Sequence, residues 1–197
     1  MVGAIILAAG SSRRFGDDKR KTTLQNGNML IENTINIAAK ALDSVLVVLR
    51  FGDRAFADEL DSKINIPGIS YFLAPDSAKG MAHSLSNAIQ KAVGMDAAMI
   101  FLADMPYIKE ETITKLINAY NANQDLQPIV IPTSNGTPGH PVIFDKAYFN
   151  EIQSLEGDHG ARPVVDAHQD KLIQVEIDDP GISRDIDTLD DIEAINL

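Results

Sequence analysis

The chain has 197 residues, 45% of them hydrophobic and 23% charged, with a formal net charge of −11 and no cysteine. A chain this long buries roughly 70% of the surface it exposes when unfolded, so a true core is expected, within a single domain spanning residues 1–197. The composition excludes disulfides and thiolate metal sites, the acidic balance argues against nonspecific nucleic-acid binding, and no apolar run nears the roughly 20 residues of a membrane span.

In chain order, residues 4–8 read as a buried strand. The segment lacks the positively charged start of a signal peptide, and its basic residues come afterwards. A loop runs to about Met29, followed by a helix whose apolar positions Leu30, Ile31, Ile35, Ala38, Ala39 and Leu42 recur at helical spacing. A strand at 44–49, a short helix at 53–60, a strand at 69–73, a helix at 81–93 and a strand at 97–103 continue the alternation. A helix at 109–120 with Ile113, Leu116, Ile117 and Tyr120 on one face leads to a strand at 128–132. Regularity then loosens through "TSNGTPGHPVIF", which reads as a shaped loop, and resumes with a helical stretch at 146–155, a strand at 172–177 and a terminal helix around 189–195. Short apolar strands separated by amphipathic helices predict a doubly wound α/β domain with a mainly parallel sheet.

Ligands of such sheets bind beyond the carboxyl ends of the strands, which directs attention to four stretches. After the first strand, Ala8, Ala9 and Gly10 are small enough for backbone amides to approach a nucleotide. Five of the 17 basic residues, Arg13, Arg14, Lys19, Arg20 and Lys21, follow within nine positions. Arg14 and Lys19 are suited to phosphate oxygens, the guanidinium through paired hydrogen bonds and the ammonium as a point charge. The loop fits neither a P-loop nor a dinucleotide fingerprint.

After the strand at 97–103, Asp104 stands at a strand end, where a carboxylate suits a hard divalent cation; helix capping is its competing role. Gly80 introduces a helix whose first amides suit a phosphate or a base edge, with Ser84 one turn on. In the tail "RDIDTLDDIEAI", Asp185 and Asp187 alternate and so share one side of an extended segment; Asp187 or Thr188 competes as a helix cap. The histidines His83, His140 and His159 otherwise read as surface or turn residues, and without cysteine or an H-E-x-x-H run a zinc site is a poor reading.

The pattern "LAAGSSRRFGDDK" resembles the signature L-A-A-G-x-S-x-R-x-G-x-x-K of the MocA-like and MobA-like nucleotidyltransferases that act on molybdopterin, through Leu7, Ala8, Ala9, Gly10, Ser12, Arg14, Gly16 and Lys19. "FLADMPYI" is similar to the family's D-M-P segment, Gly80 and Ser84 to its G-x-x-x-S segment, and the tail to its D-x-D-T-P-x-D motif, with Leu189 in place of proline. The resemblance implies a Rossmann-like fold of the nucleotide-diphospho-sugar transferase type, with a mixed, mainly parallel sheet and helices on both faces. Leu7, Ala8, Ala9, Gly10, Ser12, Arg14, Lys19, Gly80 and Ser84 are then nucleotide-binding, and Arg14, Lys19 and Asp104 catalytic. Magnesium is held by Asp104 with Asp187, Asp185 or both, Asp187 being preferred. The stretches "GTPGHPVIF" and "GDHGARPVV" look like the MocA-like branch and imply an acceptor pocket with His140 and Arg162, while Asp158 is expected to cap the helix that follows it.

The activity so implied is transfer of a nucleoside monophosphate, CMP from CTP in preference to GMP from GTP, to the phosphate of molybdopterin or molybdenum cofactor, with release of pyrophosphate. It is expected in the cytoplasm, with a molybdoenzyme or its chaperone as further partner and with neither nucleic acid nor membrane. The alternatives are a related transferase acting on a sugar phosphate or an isoprenoid-precursor phosphate, and a nucleotide- or cofactor-binding module without catalysis. Arg13, Arg20 and Lys21 fall outside the signature and read as solvated charges or secondary contributors to the local field.

Overall fold

The computed structural model of the chain describes residues 1–10, 18–186 and 191. Its strands are β1 (Val2–Leu7), β2 (Val45–Arg50), β3 (Ile69–Ala74), β4 (Ala97–Leu102), β5 (Ile129–Ser134), β6 (Thr137–Pro138), β7 (Val142–Asp145) and β8 (Leu172–Glu176). They form one sheet in the order β3-β2-β1-β4-β7-β5-β6, with β8 also paired to β5. The helices are α1 (Leu30–Ala41), α2 (Arg54–Lys63), α3 (Met81–Ile89), α4 (Glu110–Ala122), α5 (Phe149–Gln153) and α6 (Arg162–Ala167).

Side chains on a strand alternate between faces, and here both faces are covered. Ala4 and Ile6 join the core beneath α1, α2 and α4, with Ile35, Leu60 and Leu116. Ile5 and Leu7 join the opposite core beneath α3, α5 and α6, with Leu85, Ile152 and Val164. This double burial is why β1 reads as an unbroken apolar run. β1 pairs in parallel with both β2 and β4, so the strand order reverses there and opens a crevice at the carboxyl ends.

The mixed character of the sheet comes from β7, which runs antiparallel to both β4 and β5. The expectation of a loop throughout "GTPGHPVIF" is therefore corrected. Val142, Ile143 and Phe144 are buried in a four-residue strand, too short and too uniformly apolar to show a period, and shadowed by Gly139 and Pro141. Two helices are also shorter than their patterns suggest. α3 stops at Ile89 before a turn containing Gly94, whose φ of +87° suits glycine, and the stretch from 146 is a 3-10 turn, Lys146–Tyr148, leading into α5. The terminal helix around 189–195 falls outside the described residues, Asp191 apart.

At the foot of the sheet the Tyr120 hydroxyl lies 2.7 Å from Asp145 Oδ2, while Asp145 Oδ1 accepts from Ala147 N at 2.9 Å. Burial and the neighbouring Asp145 carboxylate push the Tyr120 hydroxyl well above its ordinary pKa. Tyr120→Phe strands a buried carboxylate oxygen and should lower stability by about 1–3 kcal/mol in denaturant unfolding while leaving turnover unchanged.

Candidate active site

The register that sets Leu7 against Leu102 brings the ends of β1 and β4 side by side. Ala103 N donates to Leu7 O at 3.1 Å, so Asp104 is delivered next to the loop that follows β1. From that loop the 3-10 turn Lys19–Lys21, capped by Asp18, presents Lys19. Lys19 Nζ donates to Asp104 Oδ2 at 2.7 Å and to Ile186 O at 3.0 Å. The two charged side chains are only 16% and 23% exposed, so water weakens their attraction less than at an open surface. Asp104 Oδ1 is buried and has no hydrogen-bond partner among the described residues. Asp104 does not cap α4, whose first turn is met by Asp179 Oδ2 through Lys109 N at 2.9 Å and Thr112 Oγ1 at 2.6 Å.

Asp179 thereby anchors the C-terminal tail, which then threads between two loops. A Cβ on Gly181 would lie 2.3 Å from Tyr107 O, and one on Gly139 2.2 Å from Ile182 O, so both crossings need glycine. His140 N donates to Ile182 O at 2.7 Å, and Ile186 N to Asp104 O at 3.0 Å. This course carries the exposed Asp185 to the mouth of the crevice. Asp187 lies outside the described residues, and no group of three or more metal-ligating side chains gathers among the described ones.

His140 stands close to both acidic partners. Burial lowers its imidazole pKa below the usual histidine range, although the Ile100 carbonyl, Asp104 and Asp185 pull the other way, and its Nδ1 is buried with no hydrogen-bond partner among the described residues. The ring borders a cavity of about 400 Å³ lined by Leu85, Leu102, Val142, Phe144 and Arg162 among others. Arg162 and His140 thus line one cavity, with the Arg162 side chain 82% exposed. Leu7 also borders this cavity and packs in the core, which corrects its assignment to nucleotide contact.

A second cavity of about 610 Å³ is bounded by Ala9, Gly10, Arg50, Gly52, Gly80 and Asp158, with residues 77–79. Ala8 is buried behind it, its N–H donating to Val48 O at 2.9 Å. The start of α3 separates the two cavities and corrects three expectations. The Met81 amide is taken by Asp158 Oδ1 at 3.0 Å and the Ala82 amide by Gly157 O at 3.1 Å, so these first amides are not open to a phosphate. Asp158 caps α3 across space rather than α6 in sequence. Ser84 is 3% exposed with its hydroxyl on Gly80 O at 3.3 Å, so it braces the helix and Gly80 alone of that pair borders the cavity.

The basic cluster divides. Ser12, Arg13, Arg14 and Gly16 lie outside the described residues. Lys21 is half-exposed against Glu59 and Phe56, a solvated charge as read. Arg20, read in the same way, is 3% exposed and sits between Asp18 and Asp53, which the sequence reading passed over. Arg50, also missed, donates through Nε to Gly10 O at 3.0 Å. The signal for Arg50 and Asp53 was available, since "RFGD" closes β2 at the same edge of the sheet.

A sheet opened at its switch point, with a lysine and a carboxylate meeting across the opening, has the build of a Rossmann-like nucleotidyltransferase. The chain belongs to the family of the MobA-like NTP transferase domain, which matches residues 4–172. It is 30% identical to the purine catabolism protein PucB of Bacillus subtilis, over 97% of this chain and 94% of that protein. It is 27% identical to the molybdenum cofactor cytidylyltransferase of Escherichia coli, over 96% of this chain and 93% of that enzyme. In fold it superposes on Rv0371c of Mycobacterium tuberculosis with a TM-score of 0.80 at 22% identity, covering 99% of this chain and 97% of the other, and with 0.77 at 21% identity, covering 98% and 97%, on the same protein's complex with manganese.

The wall between the cavities depends on Gly80, whose φ is +130° and whose added Cβ would lie 2.4 Å from Gly157 O. Gly80→Ala should cost more than about 1 kcal/mol of stability by thermal unfolding, because the added Cβ and the positive φ both strain the wall.

Proposed function

We propose that this nucleotidyltransferase moves CMP from CTP to the phosphate of a molybdopterin-type acceptor and releases pyrophosphate. The observation that carries the reading is the Lys19–Asp104 pair at 2.7 Å, which puts an anion-seeking ammonium and a cation-seeking carboxylate at one point of the crevice. The triphosphate lies along Ala9, Gly10 and Lys19, with Arg14 as a further cation, and its nucleoside occupies the cavity beside Gly10 and Gly80. Asp104 fits a hard cation, because its buried Oδ1 has lone pairs that no described residue uses. Magnesium would be held there by Asp104 with Asp185 or Asp187, and when bound it neutralises charge on the triphosphate oxygens.

The acceptor occupies the cavity bordered by His140 and Arg162, where Arg162 reaches its phosphate and His140 Nδ1 accepts a hydrogen bond from its ring system. An acceptor phosphate is largely dianionic at neutral pH, with a second pKa of roughly 6, so it needs no base to attack the α-phosphorus. The bond to pyrophosphate breaks as the new P–O bond forms, and the chain's residues act by positioning and charge neutralisation. Likeness to the Escherichia coli cytidylyltransferase and the "AAG" at 8–10 support CTP over GTP. The lack of cysteine suits a cytoplasmic enzyme acting as one domain and passing its product to a molybdoenzyme or its chaperone. No helix among the described residues is long and apolar enough to cross a membrane.

A panel of nucleoside triphosphates with magnesium and molybdopterin, read by pyrophosphate release and mass spectrometry, should give product with CTP first. Product with a sugar phosphate or an isoprenoid-precursor phosphate instead would reassign the acceptor, and nucleotide binding without pyrophosphate would make the chain a binding module. Asp104→Ala should lower turnover roughly a hundredfold at saturating magnesium, on the order of 3 kcal/mol of transition-state stabilisation. Lys19→Ala should raise the Michaelis constant for the triphosphate and lower turnover, and unchanged constants would remove Lys19 from the site.

A further inference from the structure

Arg20 lies one residue from Lys19, yet its guanidinium faces inward. Nε donates to Asp18 Oδ1 at 2.7 Å and Nη2 to Asp18 Oδ2 at 2.5 Å, a two-pronged grip on one carboxylate. Nη1 donates to Asp53 Oδ2 at 2.6 Å and to Ala8 O at 2.8 Å, and the group's carbon lies 4.9 Å from the centre of the Phe56 ring. Asp53 Oδ2 also accepts from Arg50 N at 3.1 Å, and Arg50 in turn holds the Gly10 carbonyl through Nε and Nη2. Two arginines and two aspartates therefore meet behind the loop that follows β1, gripping its carbonyls at Ala8 and Gly10.

The hold of Arg20 on the Ala8 carbonyl has a geometric effect on the crevice. In a trans peptide the N–H points opposite to the carbonyl of the preceding residue. Holding the Ala8 carbonyl on Arg20 therefore turns the Ala9 N–H the other way, away from the cluster, and Ala9 borders the cavity of about 610 Å³. No acceptor on another described residue takes that N–H. An arginine is needed because one planar group must meet Asp18, Asp53 and a carbonyl together, which an ammonium cannot do with the same geometry. The same grip fixes the backbone at residue 20 and with it the start of the Lys19 side chain.

We propose that Arg20, locked by Asp18 and Asp53, is a positioning residue for the nucleotide: it aims the Ala9 amide into the cavity and sets Lys19 against Asp104. The inference rests on reading this cavity as the triphosphate site. Arg20 itself touches no substrate.

The test uses the whole chain with CTP and magnesium, and compares Arg20→Lys and Arg20→Met with the parent protein. Arg20→Lys should raise the Michaelis constant and the dissociation constant for CTP by about tenfold, the worth of one well-aimed hydrogen bond, while the constant for the acceptor stays within about twofold. Arg20→Met leaves two carboxylates unpaired, should lose more of both affinity and stability, and is not needed if it fails to fold. The second readout is the amide resonance of Ala9 by NMR, which should shift strongly when CTP is added to the parent protein and weakly in Arg20→Lys. If Arg20→Lys only unfolds at lower temperature, with CTP affinity intact, the proposal is wrong. It is equally wrong if saturating CTP moves other resonances of the parent protein but leaves Ala9 in place. If no triphosphate moves any resonance of the parent protein, the nucleotide reading itself fails, and with it the role of Arg20.

Discussion

The crevice is organised by one contact, the ion pair between Lys19 and Asp104, which joins the loop after β1 to the end of β4. Each residue alone is an ordinary surface charge. Brought to 2.7 Å with little solvent around them, they form the pole of opposite charges that the proposed function assigns to a polyphosphate and a divalent cation. The sheet makes this possible. Parallel pairing of β1 with β4 delivers two backbone ends at the same level, and the reversal of strand order at β1 leaves no strand crossing above them. An antiparallel neighbour in place of β4 would have sent Asp104 to the other edge.

Holding the tail in place is a separate problem, solved by backbone fit rather than charge. Its path past Tyr107 and Ile108 and beneath the residue 138–140 loop is tight enough that Gly181 and Gly139 have no space for a side chain. Buried Asp179 fixes the point of entry by ending the orphan amide at Lys109, and the Ile186 amide fixes the exit by bonding to the Asp104 carbonyl. The Ile186 carbonyl then meets Lys19. Three chain segments distant in sequence thus share the immediate surroundings of one carboxylate.

What the sequence disclosed follows the physics that produced each feature. Strands buried on both faces appear as apolar runs between turn residues, so β1 to β5 and β8 were legible nearly to their ends, and the strand-end rule with the "LAAG" and "DMP" stretches led to Lys19 and Asp104. β7 was not legible, because four residues carry no period and a glycine and a proline precede them. Arg20 was misjudged for a different reason. Its burial comes from Asp53 and Phe56, more than thirty residues away, and nothing local distinguishes it from Lys21, which does remain solvated. The amides at the start of α3 were misjudged likewise, since the groups that use them, Gly157 O and Asp158, come from the turn between α5 and α6, far along the chain.

The division of the crevice into two cavities bears directly on the proposed reaction. Gly80 and Asp158 face the cavity beside Gly10, while their neighbours Met81 and His159 face the cavity beside His140. One thin wall, closed by two hydrogen bonds from residues 81 and 82, therefore separates a compartment edged by arginine, lysine and open backbone from one lined by leucine, valine and phenylalanine. In the proposed reaction such a separation sorts a polar nucleotide from a ring-bearing acceptor, because binding each in the other's compartment would strand polar groups or apolar surface. Asp104 and Asp185 stand near His140, which borders the second cavity, so in the proposed reaction the acidic groups meet the acceptor on that side. In the proposed reaction this partition contributes by alignment, while the charged side chains contribute by neutralising charge.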